Sequence, residues 1–238
     1  MNIKMNTNNS PVLGMAKINW RHSMTAYLIA AITLLLGVAE YIVSILVKQP
    51  EGNITLAAAS YLYTLPLFMG ILVPAQHFSK LMNLGGKRMD FFKSAILTYL
   101  PIAAAVSLVN VICRLTIDPW MLAHTDLAGF MDCLDVFGFM ARGPVAAFFQ
   151  MTAFLLLVSC VAHTITLVQG RWYGWVTDAL IVAIISVFTP IAPLRAALVW
   201  FFRMIIFHPV GIVQWLSCMA VVAIVYGASI VPTRSKAI

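Results

Sequence analysis

His77-Phe78-Ser79-Lys80-Leu81-Met82-Asn83-Leu84-Gly85-Gly86-Lys87-Arg88-Met89-Asp90-Phe91-Phe92-Lys93 is the stretch that decides how this chain is read. It holds four of the fifteen Lys and Arg, and apolar runs of more than fifteen residues flank it on both sides. In a chain that is 62% hydrophobic, such a segment belongs in water or at a membrane surface. The runs beside it belong in lipid. Mean hydropathy is +0.94, and the charged content of 10% lies far below the roughly 25% of soluble domains. Several apolar runs reach about 20 residues, the length that crosses a hydrocarbon core of about 30 Å. The expected fold class is an all-α membrane protein.

Outward from that stretch, six spans are expected at about 27–47, 56–76, 94–115, 144–168, 174–194 and 209–231. Residues 1–24 form an N-terminal tail, Asn-rich and disordered at its start, and 25–238 form the transmembrane domain. Within the tail, Leu13, Ala16 and Trp20 oppose Lys17 and Arg21 at near-helical spacing, as in a helix lying on a membrane surface. The alternative is a plain basic flank. The first apolar run starts too late and is too long for a cleavable signal, and reads as an uncleaved helix. Pro66 and Pro74 are expected to kink span two. Asp118, Asp126, Asp132 and Asp135 alternate with apolar residues over 116–143, which reads as an amphipathic helical loop on the outer surface. Residues 195–207 are too short to cross, and read as a re-entrant or interfacial helix.

Charge sets the orientation. Six spans put both termini on one side, and that side then carries ten of the fifteen Lys and Arg, including Lys17, Arg21, Lys80, Lys87, Arg88 and Arg234. The positive-inside bias places it in the cytoplasm. The net charge of +7 is spread over span ends instead of one aromatic-interleaved patch, so nucleic acid is not the expected partner. Cys113, Cys133, Cys160 and Cys218 are widely spaced, with no metal or disulfide framework. No P-loop, HExxH or GxSxG occurs, so no enzyme and no cofactor is expected. Three intramembrane polar residues are candidates for a pathway: Glu40, Gln150 and His163. Each has a plainer reading. Glu40 can see water near the outer surface, and His163 can be a hydrogen-bonded packing residue.

In the opening stretch Phe78, Leu81 and Met82 line up at helical spacing, and Gly85-Gly86 can end a short helix. Lys87 and Arg88 follow, and Phe91 and Phe92 return to the interface. Aromatics at both ends would hold that helix flat, with its charges facing the cytoplasm. The physics alone allows two readings: a docking surface for a partner that pushes, or an ordinary inner loop that sets topology.

The run Leu84-Gly85-Gly86-Lys87-Arg88-Met89-Asp90-Phe91-Phe92 resembles the loop after the second span of ABC-2-type permeases, which often shows Leu-Gly-x-Ser/Thr-Arg-x-Asp/Glu-Phe-Phe/Tyr. Leu84, Gly85, Arg88, Asp90, Phe91 and Phe92 match, while Lys87 replaces the Ser/Thr. The resemblance implies the membrane subunit of an ATP-binding-cassette exporter in the cell membrane. It also implies a second permease copy or a homologous permease, and two copies of a separate ATPase docking on 78–92. The implied docking residues are Phe78, Leu81, Leu84, Gly85, Lys87, Arg88, Asp90, Phe91 and Phe92. A drug, peptide or lipid-like molecule would be the cargo. The alternatives are a stand-alone carrier or channel, and a membrane partner protein without transport.

Overall fold

A computed structural model describes residues 10–47, 53–169 and 172–235. The start of the Asn-rich tail, nearly all of the outer turn 48–53 and the centre of the turn 169–173 lie outside them. Five helices are long and apolar enough to cross a membrane, or six if one bent pair counts as a span.

Helix α1 (Pro11–His22) starts at Ser10, whose hydroxyl accepts from the Leu13 N–H, with proline in the first turn. It leads directly into α2 (Met24–Leu46), the first span. The second crossing is composite: a 3-10 segment (Ala58–Tyr63), α3 (Thr64–Leu72), a π-helical turn (Val73–His77) and α4 (Phe78–Asn83). Pro74 lacks the N–H that an α-turn needs, and the widened turn that holds it lets the helix continue. The polar stretch therefore begins as the end of the second crossing, not as a separate helix lying flat.

The third crossing, α5 (Arg88–His124), is 37 residues long and runs past the expected 94–115 at both ends. Its continuation replaces much of the expected outer loop. The rest of that loop holds β2 (Gly129–Met131), α6 (Cys133–Val136) and a 3-10 turn (Met140–Arg142). Strand β2 pairs in parallel with β1 (Ile54–Leu56), Thr55 opposite Phe130. No sequence reading anticipated this short sheet, because three residues are too few to show alternation.

The fourth span, α7 (Pro144–Val168), has the expected bounds and stands at the centre, packed against α3, α5 and the last span, α10 (Gly211–Ala228). Helix α3 approaches closely at Gly70, where a Cβ would lie 2.5 Å from the Ser159 carbonyl oxygen. The Ser159 hydroxyl bridges the same contact to the Pro66 carbonyl at 2.9 Å.

Span five, α8 (Trp172–Phe188), stops short of the expected Leu194, at the expected proline break. Helix α8 ends at Phe188, and α9 (Ala192–Ile205) leaves at 115°. Pro190 stops the first helix, and Pro193 sits in the opening turn of the second. At 1.5 Å per residue the 17 residues of α8 cover about 25 Å, and with α9 they form the bent pair that brings the count to six. A short α11 (Ile230–Ser235) closes the described chain.

Candidate functional site

The segment from α4 to α5 is an elbow with a buried base and an exposed tip. Helix α4 ends in a Schellman arrangement: the Gly86 N–H donates to the Leu81 carbonyl at 3.0 Å and the Gly85 N–H to Met82 at 2.9 Å. Gly85 has φ +83°, a conformation that a side chain would strain. Lys87 then caps α5 with extended backbone, and Asp90 lies in its first turn, where a carboxylate is favoured by the helix dipole.

The nine expected docking residues divide by burial. Phe78, Leu81 and Phe91 belong to the core, with the Phe78 and Phe91 rings edge to face at 5.2 Å. Phe92 is half-buried and stacks on Tyr226 of α10 at 4.4 Å, and the Tyr226 hydroxyl donates to the Phe92 carbonyl. Arg88 is half-buried and donates to the Arg234 carbonyl of α11. What faces outward is Leu84, 62% exposed, with Gly85 and Lys87. Asp90 is half-buried. Thus three of the nine form the tip, and the aromatic ones hold its base.

Helix α1 braces that base, on a face other than the one expected. Met15 and Asn19 are its buried residues, while Leu13 and Trp20 are exposed. Asn19 reaches His77 Nδ1 at 3.1 Å, and the Trp20 indole N–H donates to the Thr98 carbonyl at 3.2 Å. A buried asparagine rotates the helix because its amide requires polar partners, and these lie on the elbow. The sequence signal was available: Asn19 lies one helical turn from Met15 and adjacent to Ile18.

The three polar candidates do not converge. Glu40 accepts from the Tyr61 hydroxyl at 2.7 Å and from the Thr55 hydroxyl, tying α2 to the 3-10 segment and β1. His163 is fully buried, with Nδ1 hydrogen-bonded to the Tyr99 hydroxyl at 2.7 Å, Phe91 stacked on it and Tyr226 tilted against it. It is a packing residue under the elbow. Gln150 shares α7 with His163, thirteen residues earlier, so about 20 Å separates them along the axis. Its Nε2 donates to the Gly211 carbonyl at 3.2 Å.

Two aspartates expected on a wet surface are buried instead. Asp118 and Asp132 are each 1% exposed. Tyr41 donates to Asp118 at 2.8 Å; Tyr63 and Ser60 donate to Asp132 at 2.7 and 3.0 Å. The Leu134 N–H adds a third contact to Asp132. Asp126 and Asp135 remain exposed, the latter paired with Arg114 at 2.7 Å. Beside Asp132 the Cys133 thiol is pushed up to about 11, first by burial and then by the neighbouring carboxylate. Among the described residues there is no group of three metal-ligating side chains.

No family model, curated protein or solved structure matches this chain.

Proposed function

We propose that the chain is the membrane subunit of an ATP-driven exporter, moved by a separate ATPase that docks on the elbow between α4 and α5. One observation carries the reading. The tip Leu84–Lys87 is solvent-exposed, yet it is continuous with two crossing helices whose ends are locked by Phe78 against Phe91. A push on the tip is therefore delivered to both helices as a unit, because close-packed aromatics do not absorb displacement. Further contacts pass the motion on: α1 through Asn19, α10 through Tyr226 and α11 through the Arg234 carbonyl.

In this reading the elbow, α1 and α11 lie in the cytoplasm, in keeping with the concentration of Lys and Arg there, and the strand pair lies outside the cell membrane. A second permease copy or homologue completes the pathway. The engaged states of Glu40 and His163 weigh against a carrier that uses them as proton groups, since each already serves packing.

The test is hydrolysis by the co-expressed ATPase in proteoliposomes. Leu84→Asp combined with Lys87→Glu should abolish co-purification of the ATPase and lower cargo-stimulated hydrolysis toward that of the free ATPase, with membrane insertion unchanged. Full co-purification and stimulation by that variant would refute the docking reading.

A further inference from the structure

At the opposite end of the bundle, a cleft of about 590 Å³ opens between the first turns of α7 and α10. That is within the roughly 300–1,000 Å³ usual for small-molecule sites. Its walls are apolar, with Phe149, Ile212 and Trp215 among them, and two polar side chains enter it: Arg142 and Gln150. Gln150 is 2% exposed, and its Oε1 is buried without a hydrogen-bond partner. Arg142 donates through Nη2 to the His208 carbonyl, while its Nη1 is buried and unpartnered. It takes no part in the ion pair found among the described residues, Arg114 with Asp135.

A buried guanidinium N–H with no acceptor is costly, and the more so because the group is charged. Two orphaned groups of opposite hydrogen-bonding sense in one apolar cleft specify a ligand. Arg142 Nη1 lacks an acceptor, a place an oxyanion fills best; Gln150 Oε1 lacks a donor, which a hydroxyl can supply; and the apolar walls suit hydrocarbon. The start of α10 adds to the positive field: its N-cap, Val210, supplies no side-chain acceptor to the first turn. Gly211 keeps the cleft open, since a Cβ there would lie 2.7 Å from Gln150 Nε2 and 3.3 Å from Arg142 Cδ.

We infer that this cleft binds an anionic membrane lipid whose headgroup carries both a phosphate and a free hydroxyl, the chemistry of phosphatidylglycerol. Arg142 holds the phosphate at the level where α7 begins, Gln150 accepts from the headgroup hydroxyl, and an acyl chain lies along Phe149 and Trp215. The Arg142 cation and the positive end of α10 together supply the charge that an anionic headgroup needs. The inference does not depend on the docking reading, because the cleft lies at the other end of the bundle and no ATPase enters its test.

The experiment is native mass spectrometry of the full chain in neutral detergent, titrated with phosphatidylglycerol, phosphatidylcholine or oleate. The expected result is one phosphatidylglycerol retained per chain under conditions that strip phosphatidylcholine and oleate. Arg142→Gln should weaken retention by about tenfold or more, the loss of a charge-assisted hydrogen bond. Gly211→Val should abolish it by displacing both polar side chains. Helical circular dichroism verifies the fold of each variant, and either variant suffices if the other does not fold. Equal retention of phosphatidylglycerol and phosphatidylcholine, or wild-type retention by a folded variant, overturns the site. Retention of oleate in preference to phosphatidylglycerol overturns the assignment to a membrane lipid.

Discussion

Gly85 and Leu84 do different work within one turn. Gly85 supplies the left-handed backbone that ends α4, whereas Leu84 is the exposed apolar group beside it. Gly85→Ala is expected to cost about 1–2 kcal/mol, the penalty of a Cβ in that conformation, measured by equilibrium unfolding in mixed detergent. Leu84→Ala should leave unfolding unchanged within about 0.5 kcal/mol, as for surface positions, and on the docking proposal it should act on coupling alone. At Cys133 the prediction concerns pH. In a chain with Cys133 as its sole cysteine, the rate of maleimide labelling should rise with pH, with its midpoint at about 11. Asp132→Asn removes the neighbouring negative charge that raises that value, so the labelling curve should shift to lower pH.

Two elements owe their form to polar side chains inside the fold. The parallel pair β1–β2 is followed directly by Asp132, whose carboxylate takes hydrogen bonds from Ser60, Tyr63 and the Leu134 N–H. Asp132→Ala leaves the Ser60, Tyr63 and Leu134 donors without this acceptor and should destabilise the chain by about 3 kcal/mol. The check is faster proteolysis between Thr125 and Gly143, relative to the crossing helices. Helix α1 similarly depends on Asn19. Asn19→Leu should detach it from the elbow, read as increased hydrogen exchange over Pro11–His22 with α7 unaffected.

At the scale of the whole molecule the ends of the bundle differ in charge. Lys80, Lys87, Arg88 and Arg234 gather at the elbow, while Asp118, Asp126, Asp132 and Asp135 lie toward the strand pair. Single cysteines at Lys87 and Asp126 should therefore be labelled from opposite sides of a sealed vesicle by an impermeant maleimide. The bent pair α8–α9 leaves Trp172, Trp175 and Trp200 largely exposed, in keeping with a lipid-facing position at the edge of the bundle.

How much of this was legible depends on the physical signal. The spans, the bounds of α7, the break near Pro190 and the glycine end of α4 follow from the sequence by itself. Hydropathy, proline and glycine act locally, so a linear reading captures them. Tertiary structure alone decided the burial of Asp118 and Asp132, the strand pair, the docked face of α1 and the division of the elbow into tip and base. It also decided the meeting of Arg142 with Gln150 at Gly211. Each of these depends on partners distant in the chain, and a side chain's environment in a membrane protein is set by which helices neighbour it, information that composition and spacing do not contain.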